Sequence, residues 1–140
     1  MTRQHPLSIL LVEDDQTSRD ILASMLALRF PQVSFLTAHN GKAGLESFRE
    51  HSPALVITDI NMPVMDGMAM ASEIRALDSG AKLIVLTAFS DKATLECAQA
   101  AGVEIDHYIL KPVDYRQLLQ TIQECLPGVA PAPKAGAEKP

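Results

Sequence analysis

Residues 54–67 read ALVITDINMPVMDG, and this stretch carries the strongest indication of the fold. A largely apolar run without charge leads directly into Asp59, and turn-forming residues follow at 61–63 and 66–67. Unbroken apolar runs of this length are typical of strands that are covered on both faces in a parallel sheet. Because a carboxylate at the end of a buried strand needs a partner, Asp59 marks the place where a site is expected.

Similar strand-like runs recur along the chain, at 9–12, 33–37, 83–86 and 107–110. The second and the last are more polar, which predicts that they form the edges of the sheet. Between the runs, apolar residues recur at helical spacing in three sets: Ile21, Met25 and Leu28; Met70, Ile74 and Leu77; and Leu118, Ile122 and Cys125. The sequence therefore predicts an α/β fold, a single domain of five strand–helix repeats with helices on both faces of the sheet.

The composition changes after Leu126. Residues 127–140 read PGVAPAPKAGAEKP, with several prolines and no large apolar residue beyond Val129. Such a segment buries too little apolar surface to fold by itself. We therefore expect a domain over residues 1–126, followed by a disordered tail or linker over 127–140 that contains no output domain.

Charge and composition argue against several classes of partner. The net charge is −5 and there is no Trp, which disfavours direct nucleic-acid binding and an anionic membrane surface. The apolar runs are far shorter than the roughly 20 residues that span a bilayer, and residues 1–15 lack a signal-peptide pattern. The two cysteines lack metal-ligand spacing and suit a reducing compartment. We expect a cytoplasmic protein without nucleic-acid or membrane contacts.

Polar residues of three chemical types follow the predicted strands, where ligands bind in open α/β sheets. They are Glu13, Asp14 and Asp15 after the first strand, Asp59 after the third, Thr87 after the fourth and Lys111 after the fifth. Taken singly, each has an ordinary structural explanation: an Asp after a strand is usually a helix N-cap, a Lys is usually solvated, and a Thr usually lies at a sheet edge. Together, carboxylates without His or Cys suit Mg²⁺, and a cation, a lysine and a hydroxyl around a nucleophilic carboxylate suit a phosphoryl group.

The motifs that contain these residues resemble the receiver domain of two-component response regulators, over about residues 7–126. They are ILLVEDD, TDINMPVMDG, the LTA at 86–88 and the YILKP at 108–112. The resemblance implies a flavodoxin-like receiver fold, a doubly wound five-stranded parallel sheet in the order 2-1-3-4-5. It also implies a phosphorelay protein that accepts a phosphoryl group from a sensor histidine kinase or a histidine phosphotransfer protein. Such a protein is not an enzyme, although it takes part in its own phosphorylation and autodephosphorylation.

The resemblance further implies a role for each acid. Asp59 would be the phosphoacceptor and would also bind Mg²⁺, together with Asp14 and the backbone carbonyl of Asn61. Glu13 would bind the metal through water. The three consecutive acids allow two registers, and counting from the end of the first strand favours Glu13 and Asp14 as the pair, with Asp15 starting the first helix.

The remaining positions of the motifs would bind the phosphate and transmit the signal. Thr87, the backbone N–H of Ala88 and Lys111 would hold the phosphoryl oxygens, and the Lys111–Pro112 bond would be cis. Thr87 and Tyr108 would form the switch. They would change the face made by the fourth helix, fifth strand and fifth helix, and so control an output domain or effector protein outside this chain, or a phosphorylation-dependent homodimer.

Other functions are less consistent with the sequence. An Asp-nucleophile phosphatase of the haloacid-dehalogenase type would need an acid two residues after Asp59, where Asn61 stands. A flavin- or dinucleotide-binding domain would need a glycine-rich loop where the acids at 13–15 would repel phosphates. A receiver-like module that binds partners without phosphorylation is the remaining alternative, and failure to accept phosphate from a small donor would favour it.

Overall fold

The computed structural model describes residues 7–132, apart from the side chain of Phe89. The strands are β1 (Ser8–Val12), β2 (Ser34–Ala38), β3 (Leu55–Asp59), β4 (Lys82–Thr87) and β5 (His107–Leu110). The helices are α1 (Gln16–Arg29), α2 (Gly41–His51), α3 (Gly67–Leu77), α4 (Lys92–Ala100) and α5 (Tyr115–Cys125), and a 3₁₀ turn at Phe89–Asp91 precedes α4.

All five strands are parallel and form one sheet in the order β2-β1-β3-β4-β5. This confirms the predicted α/β fold and strand order, with the two more polar strands at the edges. Val12 at the end of β1 is paired with Thr58, and Asp59 at the end of β3 is paired with Leu86. The carboxyl ends of β1, β3 and β4 therefore lie side by side, and the residues that follow these strands share one edge.

Alternate residues of the central strands enter separate apolar layers. Ile9 and Leu11 belong to a buried cluster with residues of α1 and α5, whereas Leu10 and Val12 belong to a cluster with residues of α2 and α3. Successive side chains of a strand point to opposite faces of the sheet, so a strand covered on both faces is apolar at every position. This explains the unbroken runs in the sequence.

The predicted helical faces are only partly correct. All three residues of the α5 set are buried. In α1, however, Leu22 and Leu26 face the core, while Ile21 and Leu28 are 53% and 77% exposed. The buried and the exposed apolar residues of α1 both recur at helical spacing, because this helix carries apolar residues around much of its circumference. Spacing alone therefore did not identify its buried face. Within residues 7–132, no helix combines the length and apolar character needed to cross a bilayer.

Side-chain caps begin four of the five helices that the structure describes. In each, a carboxylate or amide oxygen accepts a hydrogen bond from a backbone N–H of the first turn, as at Asp15, Asn40, Asp66 and Asp114. Each such cap stabilises a helix by about 1 kcal/mol. Within residues 7–132, α4 alone starts without a side-chain cap hydrogen bond, although Asp91 occupies its N-cap position.

The segment after Leu126 differs from the predicted tail in its first part. Val129 is buried in the cluster that contains α1 and α5. The Ala132 N–H donates to the Arg29 carbonyl at 2.6 Å, and Arg29 Nε donates to the Ala132 carbonyl at 2.8 Å. Residues 127–132 therefore pack against the end of α1, and the rest of the predicted tail, 133–140, lies outside the described residues.

Arg75 of α3 joins three parts of the chain on the side away from the strand carboxyl ends. Its Nε donates to the Glu104 carbonyl at 2.8 Å, and its guanidinium also donates to the carbonyls of Ser79 and Ala81. An ion pair of 2.9 Å links it to Asp106, which itself accepts a hydrogen bond from a backbone N–H of β4. One guanidinium thus satisfies several acceptors before β4 and before β5.

We expect Arg75→Ala to lower the free energy of unfolding by about 2 kcal/mol, because hydrogen bonds to a charged group are lost and their acceptors left without a partner. Urea unfolding measures this change. Arg49→Ala removes an exposed arginine of α2 and should change stability by less than about 0.5 kcal/mol. Equal effects of the two substitutions would contradict the role given to Arg75.

Candidate functional site

Asp59, the last residue of β3, is 7% exposed, and each of its two carboxylate oxygens has a partner. Oδ2 lies 2.7 Å from Lys111 Nζ, and Oδ1 accepts a hydrogen bond from the Ile60 N–H at 2.8 Å. The Lys111 N–H donates to the Thr87 carbonyl at 2.7 Å, which fixes the lysine backbone beside the end of β4. The Lys111–Pro112 peptide bond is cis, as the resemblance implied.

Two more carboxylates approach Asp59 from the end of β1. Oxygen atoms of Glu13, Asp14 and Asp59 all lie within 4.8 Å of one another. Burial raises the pKa of the Glu13 carboxyl, and the negative charge of Asp59 raises it further, against the opposing effect of a hydrogen bond from the Asp15 N–H. Three clustered carboxylates without His or Cys are the donors that Mg²⁺ prefers, so these residues fit a magnesium ion.

The third consecutive acid, Asp15, serves the helix that follows it. Its carboxylate accepts a hydrogen bond from the Ser18 N–H at 2.8 Å, and this bond lowers the pKa of the Asp15 carboxyl. The structure therefore brings Glu13 and Asp14 to Asp59, and it uses Asp15 as the N-cap of α1.

The loop after β4 holds a carboxylate that the sequence did not single out. Asp91 is 2% exposed; it accepts hydrogen bonds from the Ala88 N–H at 2.8 Å and from Asn61 Nδ2 at 2.5 Å. The hydroxyl of Thr87, itself buried, lies 3.4 Å from the same carboxylate. An acid directly before a helix is ordinarily taken as a cap, so the residue type of Asp91 does not indicate that its carboxylate turns toward the strand end.

The loop between β3 and α3 is closed tightly over the end of β3. The Gly67 N–H donates to the Ile60 carbonyl at 2.8 Å. A Cβ atom on Gly67 would lie only 2.0 Å from the carbonyl oxygen of Asp59, so no other residue fits without displacing the backbone that carries the carboxylate. Asn61 lies in this loop, and its side-chain amide is held by Asp91.

Tyr108 of β5 shares a sheet face with Thr87. Tyr108 is paired with Val85, two residues before Thr87, and alternate residues of a strand point to the same face. Tyr108 is partly buried and packs against a cluster that includes Ile60, Val85 and Ala98 of α4. The two predicted switch residues therefore lie on one face, with α4 beside them.

Comparison with known proteins identifies the family. A family model described as the response regulator receiver domain matches residues 9–123. The chemotaxis protein CheY of Halobacterium salinarum is 34% identical over 118 residues, which is 84% of this chain and 95% of that protein. The probable transcriptional regulator ycf27 of Cyanidium caldarium is 39% identical over 124 residues, which is 89% of this chain and 47% of that protein. The chain thus spans nearly all of the former and about half of the latter.

Solved structures agree with this assignment. The response regulator protein TrrA of Thermotoga maritima, in complex with Mg²⁺–BeF, has a TM-score of 0.74 at 32% identity, with 86% of this chain and 99% of that chain covered. A CheY-like receiver domain protein of Methanospirillum hungatei has a TM-score of 0.78 at 28% identity, with 89% and 96% covered. The chain belongs to the response regulator receiver family, whose members act as phosphoacceptors in two-component signal transduction.

We expect Gly67→Ala to lower the free energy of unfolding by about 3 kcal/mol, because the added methyl group overlaps the Asp59 carbonyl. Thermal or urea unfolding gives the value. Gly128→Ala is the matched control, since a Cβ there meets no atom within 4 Å and should be tolerated. A fully stable Gly67→Ala protein would contradict the close approach of α3 to β3.

Proposed function

We propose that this domain is a phosphorylation switch in which Asp59 accepts a phosphoryl group from a sensor histidine kinase or a histidine phosphotransfer protein. The buried Asp59 carboxylate lies between the Lys111 ammonium and two further carboxylates at the carboxyl edge of the sheet. This arrangement joins a nucleophile with a fixed positive charge and with oxygen donors for a metal.

In the proposed reaction, a carboxylate oxygen of Asp59 attacks the phosphorus of a phosphohistidine. The phosphorus–nitrogen bond breaks, the imidazole leaves and takes up a proton, and an acyl phosphate forms on Asp59. A carboxylate approaches a phosphoryl group against electrostatic repulsion, so neutralising charge and fixed orientation supply most of the catalysis. Lys111 supplies positive charge, and the hydrogen bond from the Ile60 N–H helps to orient the carboxylate.

Asp14 and Asp59 would bind Mg²⁺ directly, the backbone carbonyl of Asn61 would be a further ligand, and Glu13 would bind through water. When bound, Mg²⁺ neutralises negative charge on the phosphoryl oxygens. The clustering of the three carboxylates supports this assignment. It is also supported by the similarity to TrrA, whose structure is described as a complex with Mg²⁺–BeF.

The phosphorylated state would be read out through the loop after β4. The Thr87 hydroxyl and the Ala88 N–H would bind phosphoryl oxygens, and Tyr108 would move as Thr87 moves. Because Tyr108 packs beside α4, this would change the face of α4, β5 and α5. The target would be an output domain or effector protein, or a second copy of this chain, in the cytoplasm, and neither nucleic acid nor a membrane would contact the domain directly.

The acyl phosphate would be removed by hydrolysis, in which the domain's own residues take part, so that the domain signals without turning over substrates as an enzyme. The amide side chain of Asn61 disfavours the phosphatase alternative, because it offers no acid–base group and is bound to Asp91. A module that only binds partners would have no need of a lysine paired to a buried nucleophile, and a small phosphodonor separates these possibilities.

We expect acetyl phosphate with Mg²⁺ to add a single phosphoryl group to the wild-type chain and none to Asp59→Asn, as measured by intact-mass spectrometry. Omission of Mg²⁺ should abolish the adduct. Lys111→Ala should slow its formation by roughly a hundredfold, because a fixed charge at the reacting group is lost. An adduct that persists in Asp59→Asn would contradict the proposed acceptor, and no adduct under any condition would favour the binding module.

A further inference from the structure

Asp91 occupies the N-cap position of α4 without capping the helix. The N-cap residues of the other four described helices are extended, with ψ between 111° and 173°, and their side chains accept backbone hydrogen bonds. Asp91 has ψ of 3°, and its carboxylate turns back toward the end of β4. The first turn of α4 is therefore held in a different conformation from that of the other helices.

Asp91 contacts the same hydrogen-bond donors that would bind the phosphoryl oxygens on Asp59. Its carboxylate accepts a hydrogen bond from the Ala88 N–H at 2.8 Å and lies 3.4 Å from the Thr87 hydroxyl. In the proposed function, both of these groups donate hydrogen bonds to the phosphoryl oxygens. A backbone N–H makes one strong hydrogen bond, so it cannot serve two anions at once. The two negative charges would also repel each other in a buried setting.

Resting on the proposed function, we infer that Asp91 is an internal latch that occupies the phosphoryl-binding donors before phosphorylation and moves to cap α4 afterwards. Phosphorylation of Asp59 expels the Asp91 carboxylate from Ala88. The released carboxylate then accepts from the N–H groups of Ala93 and Thr94 at the start of α4, where a negative charge is favoured.

This exchange of hydrogen-bond partners would link phosphorylation of Asp59 to a change in the surface of α4. Asp91 must become extended in order to cap, so the first turn of α4 is rebuilt when the latch opens. Asn61 loses the same partner, which loosens the contact between the loops after β3 and after β4. One carboxylate therefore couples the charge at Asp59 to the conformation of a helix.

Asp91→Ala removes both the latch and the cap, whereas Asp91→Ser removes the charged latch and retains a residue that caps well. Beryllium fluoride with Mg²⁺, a non-covalent stand-in for the phosphoryl group, is the probe. We expect both variants to bind it about tenfold more tightly than the wild type, because no ionic hydrogen bond has to be broken first. Asp114→Ala, which removes an ordinary aspartate cap from α5, should bind it as the wild type does.

Amide hydrogen exchange and chemical shifts show whether the released Asp91 carboxylate caps α4. In the wild type, beryllium fluoride should protect the Thr94 amide several-fold. In Asp91→Ser that amide should be protected with or without the probe, and in Asp91→Ala it should stay unprotected. The wild-type measurement needs no variant, so a variant that fails to fold does not remove the test.

Wild-type affinity in both Asp91 variants, or an unchanged Thr94 amide in the wild type, would overturn the latch while Asp59 phosphorylation still stood. If the wild type neither binds beryllium fluoride nor accepts phosphate, the proposed function itself fails, and the latch fails with it.

Discussion

The site depends on the balance between negative and positive charge at the carboxyl ends of β1 and β3. Asp59 is buried at this edge and close to two other carboxylates, an arrangement that is unfavourable unless cations balance it. Lys111 supplies one positive charge from beyond β5, at 2.7 Å. The remaining charge explains why the site suits a divalent metal. The parallel strand order makes this possible, because it brings the carboxyl ends of β1, β3 and β4 to one place.

The same edge also contains a competition between anions. In the structure, the Ala88 N–H after β4 is bound to the carboxylate of Asp91, and the Asn61 side chain is bound to the same carboxylate. A phosphoryl group on Asp59 would compete for those donors. Since α4 begins at the residue after Asp91, such an exchange of hydrogen-bond partners would act directly on the first turn of that helix.

Much of the fold, and the meeting of the acids and Lys111 at one edge of the sheet, could be predicted from local features of the sequence. Unbroken apolar runs indicated buried parallel strands, and residues that follow such strands necessarily meet at one edge. Three features were not predicted, because each depends on tertiary packing or on backbone angles that the type of a single residue does not reveal. The buried face of α1 could not be chosen by spacing alone, and the packing of Val129 rests on one side chain and on backbone hydrogen bonds. Asp91 had the residue type and position of a cap, and only its backbone angles turn it toward Ala88.

Thermal unfolding of Asp14→Asn with and without Mg²⁺ shows whether the clustered carboxylates at the sheet edge repel one another and are balanced by a cation. Asp14 is exposed, so its replacement removes charge without opening a cavity. Without Mg²⁺ the variant should be more stable than the wild type by about 0.5–1 kcal/mol, and Mg²⁺ should stabilise the wild type much more than the variant. Asp20→Asn, an exposed aspartate on α1, should match the wild type in both conditions. An Asp14→Asn protein that is no more stable than the wild type without Mg²⁺, and that gains equally from the metal, would show that these carboxylates neither repel one another measurably nor bind the metal together.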